Sequence, residues 1–258
     1  MSIRMIMENA LTTWLLSDAS LSHGAVRVRL ALRDLRPRSY SEISLMTGMS
    51  AHCITLVVRE LINAGWAVFT DSARRRPRLV SAVFPAAVEA AMASAVSDAY
   101  AIAPFQGEWL MRAKLDIYIG SVEYADNARP SWLVNVVTGV PMELDRAYPQ
   151  LGLAFEYQGS SHHEPAATND PWDNRSQHER SRSYKGQVER DAQKHMLCNR
   201  QGIRLVEVTA LMLELEATKL IPDGIAPLSH YSRVLDSPLI LKLNELCSTY
   251  AKKNAART

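Results

Sequence analysis

The stretch that most limits what this chain can fold into is LAFEYQG, Leu153–Gly159. Leu153, Ala154, Phe155 and Tyr157 belong in the middle of a buried strand. Glu156 and Gln158 alternate with Phe155 and Tyr157, so the two polar residues share one strand face. A carboxylate is expensive to bury unless it is paired or holds a metal. Upstream, Val140–Leu144 reads as the partner strand, Pro149-Gln150-Leu151-Gly152 as the turn, and Asp145 falls at the end of that first strand. Such a hairpin brings Asp145 toward Glu156. Converging carboxylates repel, and a divalent cation removes the conflict. Hard oxygen ligands select Mg²⁺ or Mn²⁺ over zinc.

Two helical patterns flank the hairpin. GEWLMRAKLDIYIG offers Trp109, Leu110, Leu115 and Ile119 to a core and places Glu108 at its start. QVERDAQKHMLCNRQG sets Gln187, Asp191, Lys194 and Cys198 along one helical stripe. It stops at Gly202, and IRLVEV follows as a strand. Residues 164–186 read as a long polar loop, either a segment that closes over a ligand or a disordered one. A zinc site drawn from His162, His163, His178, His195 and Cys198 is a weaker alternative. The His195-x-x-Cys198 spacing suits two ligands, but the adjacent His162 and His163 do not readily converge.

Charge is unevenly distributed. The chain carries a net +2, yet residues 22–80 hold ten arginines against four acidic residues. A basic segment of this size points to an anionic partner, with nucleic acid the default. Within it, AVRVRLALRDL reads as a helix with Val26, Leu30 and Leu35 as its apolar positions. SEISLMTGM follows, with Ser41 as N-cap and Gly48 as stop. SAHCITLVVRELINAG is capped by Ser50 and turns Ile54, Val57, Val58 and Leu61 inward. WAVFTDSARRRPRLVSAV is a strand, a basic turn and a strand.

This order over residues 22–83 resembles the winged helix-turn-helix family. The resemblance implies that the second helix of the pair enters a major groove through Ser50, Ala51, His52, Thr55 and Arg59. It also implies that Arg74, Arg75, Arg76 and Arg78 on the wing meet phosphate or the minor groove. An N-terminal helix over residues 3–17, with Ile6, Leu11, Trp14 and Leu15, precedes it. An Ala-rich helix over 85–103 follows as a connector.

GE at Glu108, NARPSWL, ELD at Asp145 and LAFEYQGSSHH resemble the PD-(D/E)XK nuclease superfamily over residues 107–210. The likeness is closest to members with the E-x-Q form of the last motif followed by a histidine. It implies an α/β (α+β) restriction-endonuclease-like fold, a mixed sheet flanked by helices with the hairpin at its centre, and metal-dependent hydrolysis of the DNA backbone. Asp145 and Glu156 would be metal ligands, and Glu108 the acidic residue of the first helix. Gln158 stands in the usual lysine position, a departure, since an amide has no charge to give. Lys194 would be the cation that compensates, with Asp191 beside it, and His163 would reach the site.

The expected organisation is a mainly α winged-helix domain over 1–84, a connector over 85–106 and a nuclease domain over 107–258. The expected function is a Mg²⁺- or Mn²⁺-dependent deoxyribonuclease acting on double-stranded DNA, as a homodimer or with a partner subunit. One alternative is a DNA-binding regulator with an inactive nuclease-like domain. Another is a subunit active only in a larger transposition or defence assembly. Charges within the first apolar run argue against a signal peptide, and no run of about 18 apolar residues suggests a membrane span. Three widely spaced cysteines fit a reducing compartment, so the expected location is the cytoplasm, or the nucleoid in a bacterium.

Overall fold

The computed structural model describes residues 1–70, 78–119, 123–159, 177–214, 220–222 and 237–255, with backbone alone for 177–184. It is a mixed α/β structure whose described strands form two sheets. The chain divides into two compact units, one of residues 1–121 with 216–248 and the other of residues 122–215 with 249–258. This division does not fall at residue 107, where the sequence pattern suggested a boundary. Helices α5 (Ala86–Ala101) and α6 (Gln106–Ile119) both lie in the first unit, packed on α1 (Ile3–Ala10). The Ala-rich α5 is thus not a bare connector. Val88, Met92, Val96 and Ala99 are buried along it, which a helix spanning solvent would not permit.

In the first unit, α1 is capped by Ser2 and continues as a π-helical turn over Leu11–Leu15. The wider turn keeps Leu11 and Leu15 inward and leaves Trp14 43% exposed. Helix α2 (His23–Ala31) buries Ala25, Val28 and Arg29, and Leu32 just beyond it is also buried, while Leu30 faces outward. Of the three apolar positions read from the sequence, Leu35 is buried, Val26 is half-buried and Leu30 is exposed. Arg29, which sequence patterning counts as a surface residue, is fully buried. Its guanidinium lies 5.6 Å from the Trp66 ring centre and 4.9 Å from that of Phe84, and it donates to the Val83 carbonyl at 3.2 Å.

Helix α3 (Tyr40–Thr47) begins at Ser39, not at Ser41. The Ser39 hydroxyl accepts from the Glu42 N–H while the Glu42 carboxylate accepts from Ser39, a reciprocal cap. Gly48 ends α3 at φ +69°, and Ser50 caps α4 (Ala51–Asn63) by accepting from the Cys53 N–H. The two helices meet at 103°. Strands β1 (Arg38–Ser39), β2 (Ala67–Phe69) and β3 (Leu79–Ala82) form an antiparallel sheet in the order β1-β3-β2.

The second unit is built on a sheet in the order β4-β5-β6-β7. Strands β4 (Ala125–Ala128), β5 (Leu144–Tyr148) and β6 (Leu153–Gln158) are antiparallel, and β7 (Arg204–Thr209) is parallel to β6. Helix α7 (Gln177–Arg200) lies between β6 and β7 in the chain. Its first ten residues fall where a loop to residue 186 was expected. The first hairpin strand is Leu144–Tyr148, not Val140–Leu144, so Asp145 lies near the start of β5 and not at a strand end. The turn is as expected: a 3₁₀ turn over Pro149–Leu151 closes on Gly152 at φ +59°. There a Cβ would sit 3.1 Å from the Gly202 carbonyl oxygen.

Helix α8 (Ala210–Glu214) follows β7, and a last helix spans Pro238–Ala255. No single described helix is long and apolar enough to cross a membrane.

Candidate functional site

The site is assembled by strand register. Arg146 pairs with Phe155 and Ala147 with Ala154, so the same register sets Asp145 across from Glu156. Directly opposed residues share a sheet face. The Glu156 Oε1 accepts from the Asp145 N–H at 3.3 Å, and the Asp145 Oδ2 accepts from the Tyr157 N–H at 2.7 Å. At this end of the hairpin the two carboxylates have taken over hydrogen bonds from backbone N–H groups.

Glu156 is 7% exposed. Lys194, half-buried on α7, donates to Glu156 Oε2 at 2.6 Å. Burial pushes the Glu156 carboxyl up to about 7. The Lys194 charge pulls in the opposite direction, and the Asp145 charge pushes further up. One helical turn beyond Lys194, the buried Cys198 thiol is pushed up to about 11, chiefly by burial and then by the Glu156 charge. Gln158, two residues along the same strand face, is 8% exposed, and its Oε1 has no hydrogen-bond partner among the described residues.

The structure thus brings together Asp145, Glu156 and Lys194, with Gln158 next along the strand. Asp191 is half-buried one turn before Lys194 on α7. Glu108 belongs to the first unit, where it pairs with Arg112 on α6. His163 lies outside the described residues, as do Arg74, Arg75, Arg76 and the His162 of the zinc alternative. Among the described residues no group of three or more His, Cys, Asp or Glu side chains converges.

Sequence reasoning missed the neighbour of this site on β7. Glu207 pairs in register with Glu156, and its Oε1 is 2.7 Å from His195 Nε2, on the residue after Lys194. The signal was faint: LVEV shows an acidic residue in a strand, but not which strand it joins.

In the first unit, His52 and Arg59 are exposed on α4, and Thr55 is half-buried, with its hydroxyl donating to the Ala51 carbonyl. Ser50 is occupied as the cap. Arg78, exposed at the foot of β3, stacks over Phe69 with its guanidinium 5.2 Å from the ring centre.

No family model matches this chain, and no solved structure matches it. The uncharacterized protein 033L of Invertebrate iridescent virus 3 is 36% identical over 81 residues. That match takes in 31% of this chain and 38% of the viral protein's length.

Proposed function

We propose that this protein is a metal-dependent DNA endonuclease: the first unit holds duplex DNA, and the second hydrolyses a phosphodiester bond. The observation that carries the reading is the Asp145–Glu156 pair, opposed across a hairpin with the Lys194 ammonium against it. The β4-β5-β6-β7 order, antiparallel and then parallel, agrees with a restriction-endonuclease-like sheet. The order of α2, β1, α3, α4, β2 and β3, with α3 and α4 at 103°, agrees with a winged helix.

The residues fit a hard divalent cation such as Mg²⁺ or Mn²⁺. Two carboxylates lie across from one another, one of them held in its neutral form up to about pH 7 by burial, and the amide oxygen of Gln158 is buried without a partner among the described residues. Asp145 and Glu156 would hold the cation, since Mg²⁺ commonly takes one or two carboxylates and leaves its remaining positions to water and phosphate. Such an ion supplies Lewis acidity toward a phosphoryl oxygen. Lys194 offsets charge that develops on the phosphorus oxygens, the part the usual lysine would take. The Gln158 amide orients the attacking water by hydrogen bonds.

The deciding experiment is incubation of supercoiled plasmid with Mg²⁺, Mn²⁺ or EDTA, beside the Asp145→Asn protein. Metal-dependent nicking or linearisation that the substitution reduces by about a hundredfold supports the reading. The Lys194–Glu156 ion pair also supports a second reading, a DNA-binding regulator whose second unit does not cut, because Lys194 already supplies the charge a cation would bring. Retained DNA binding with no cleavage in any metal selects it, unless a partner subunit restores cutting.

The DNA-holding part has its own test. Arg59→Ala with Arg78→Ala is expected to weaken binding to all duplex sequences about equally. It should also flatten the slope of log affinity against log salt by about two units, one for each phosphate contact. An unchanged slope in a salt titration removes these two arginines from the DNA surface.

A further inference from the structure

The segment Leu133–Met142 of the second unit is a small hairpin built with unusual care for a loop. Val134 and Pro141 form an antiparallel bridge, and the Met142 N–H donates to the Leu133 carbonyl at 2.8 Å. The Asn135 N–H donates to the Val140 carbonyl at 2.9 Å, and the Gly139 N–H to the Asn135 carbonyl at 2.8 Å. The buried Asn135 side chain accepts from the N–H groups of Val137 and Thr138 at 2.9 and 3.0 Å. Its root is fixed, because Leu133 and Met142 are buried in a cluster with Leu144, Ala147, Ala154 and Cys198.

The tip, by contrast, is out in solvent and carries three exposed valines around Thr138 and Gly139. Val136 is 66% exposed, Val137 81% and Val140 58%. Turn tips ordinarily carry Gly, Asn, Asp or Ser. Three valines on a rigid projection are a contact surface awaiting an occupant. β-branched side chains also lose little rotamer freedom when they enter a contact.

Its position names the occupant. The Val136 N–H donates to the Gln193 side-chain oxygen at 3.2 Å, and Gln193 precedes Lys194, which grips Glu156. The tip is therefore tied to α7 beside the candidate site. The exposed Arg190 lies one turn before Lys194 on α7, and Arg129, its side chain 68% exposed, lies at the hairpin's root, where its Nε donates to Glu143 at 2.7 Å. An apolar wedge flanked by cations is how proteins enter a minor groove: the cations meet the phosphates and the apolar side chains part a base step.

We propose that the Val136–Val137–Val140 tip is a minor-groove wedge that unstacks a base step beside the phosphate to be cut. This rests on the nuclease reading and deepens it. Bending the duplex at that step would turn the scissile phosphate toward Asp145 and Glu156.

The test uses the full-length protein and a duplex carrying 2-aminopurine at successive positions around a mapped cut, bound in EDTA so that nothing is cleaved. The Val136→Ser/Val137→Ser protein is compared with wild type and with Val136→Leu/Val137→Leu. Wild type and the leucine protein are expected to raise the fluorescence at one step. The serine protein should lose that rise and cut about tenfold more slowly, with its salt slope unchanged. Wild-type cutting with no fluorescence rise, or a serine protein that unstacks and cuts like wild type, overturns the wedge and leaves the nuclease standing. A serine protein with unaltered DNA behaviour but altered sedimentation overturns it in favour of a protein contact. Wild type that binds DNA without cutting in any metal, or that does not bind it, removes the nuclease reading, and the wedge with it.

Discussion

If the proposed nuclease reading holds, Glu156→Gln is expected to slow metal-dependent cleavage by about two to three orders of magnitude, while altering how stability responds to pH in the metal-free protein. The first effect follows from the proposed role of Glu156 in holding the cation, the second from its burial. Glu156 is buried on a strand between two others, and burial lifts its carboxyl to about 7 from an ordinary value of 4.5. Between those two values the native protein holds a proton that the unfolded chain has released. Stability therefore falls as pH rises through that window and levels off above about 7, once both states are ionised.

The fall is at most on the order of 3 kcal/mol, with the Lys194 ion pair already counted in the raised value. Glutamine has no proton to lose, so the fall should be absent from the Glu156→Gln protein. The measurement is urea unfolding in EDTA at intervals from pH 4.5 to 8, read as the difference between the two proteins, so that every other carboxylate cancels. Parallel curves would mean that Glu156 ionises normally and that burial does not govern it. On the proposed reading, Mg²⁺ would bind the charged form of wild type, and the falling region should then move to lower pH.

Arg146→Ala is expected to destabilise the second unit by about 3–5 kcal/mol. Arg146 points away from Asp145, to the opposite face of β5, and is fully buried. Its Nε and Nη2 donate to Asp126 at 2.6 and 3.1 Å, and its guanidinium stacks 4.0 Å from the Tyr124 ring centre. Tyr124 stands 5.7 Å from Tyr148 between ring centres, and Tyr148 stands 6.1 Å from Phe155. The arginine thereby fastens β4 to the sheet that carries the site.

Lysine keeps the charge but has neither the fork that meets both carboxylate oxygens nor the flat face for Tyr124. Arg146→Lys is therefore expected to recover less than half of the loss. Denaturant midpoints at constant m-value measure both. A loss under about 1 kcal/mol for Arg146→Ala would show that the contact is an ordinary surface pair.

Much of the local order could be read directly from residue types. The turn at Pro149–Gly152, the caps at Gly48 and Ser50, the inward face of α4 and the strand Arg204–Thr209 each rest on chemistry within a few residues of the chain. β4 could not be read this way. Ala125–Ala128 is ADNA, whose Asp and Asn disfavour strands, and its Asp126 is held against β5 by Arg146. Ser39 displaced Ser41 as cap because its own N–H and hydroxyl could both use Glu42.

The sequence by itself determined that Glu156 and Gln158 share a strand face and that Asp191 and Lys194 share a helix, because strand and helix periods are local properties of the backbone. Only the tertiary structure decided that Asp145 lies across from Glu156, that Lys194 reaches it, and that Glu207 stands at its side. Strand register and the placement of a helix over a sheet are fixed by burial summed over residues far apart in the chain. A one-residue slip would turn Asp145 to the other face. The division of the chain into units was decided in the same way, when α5 and α6 found their apolar partners in α1.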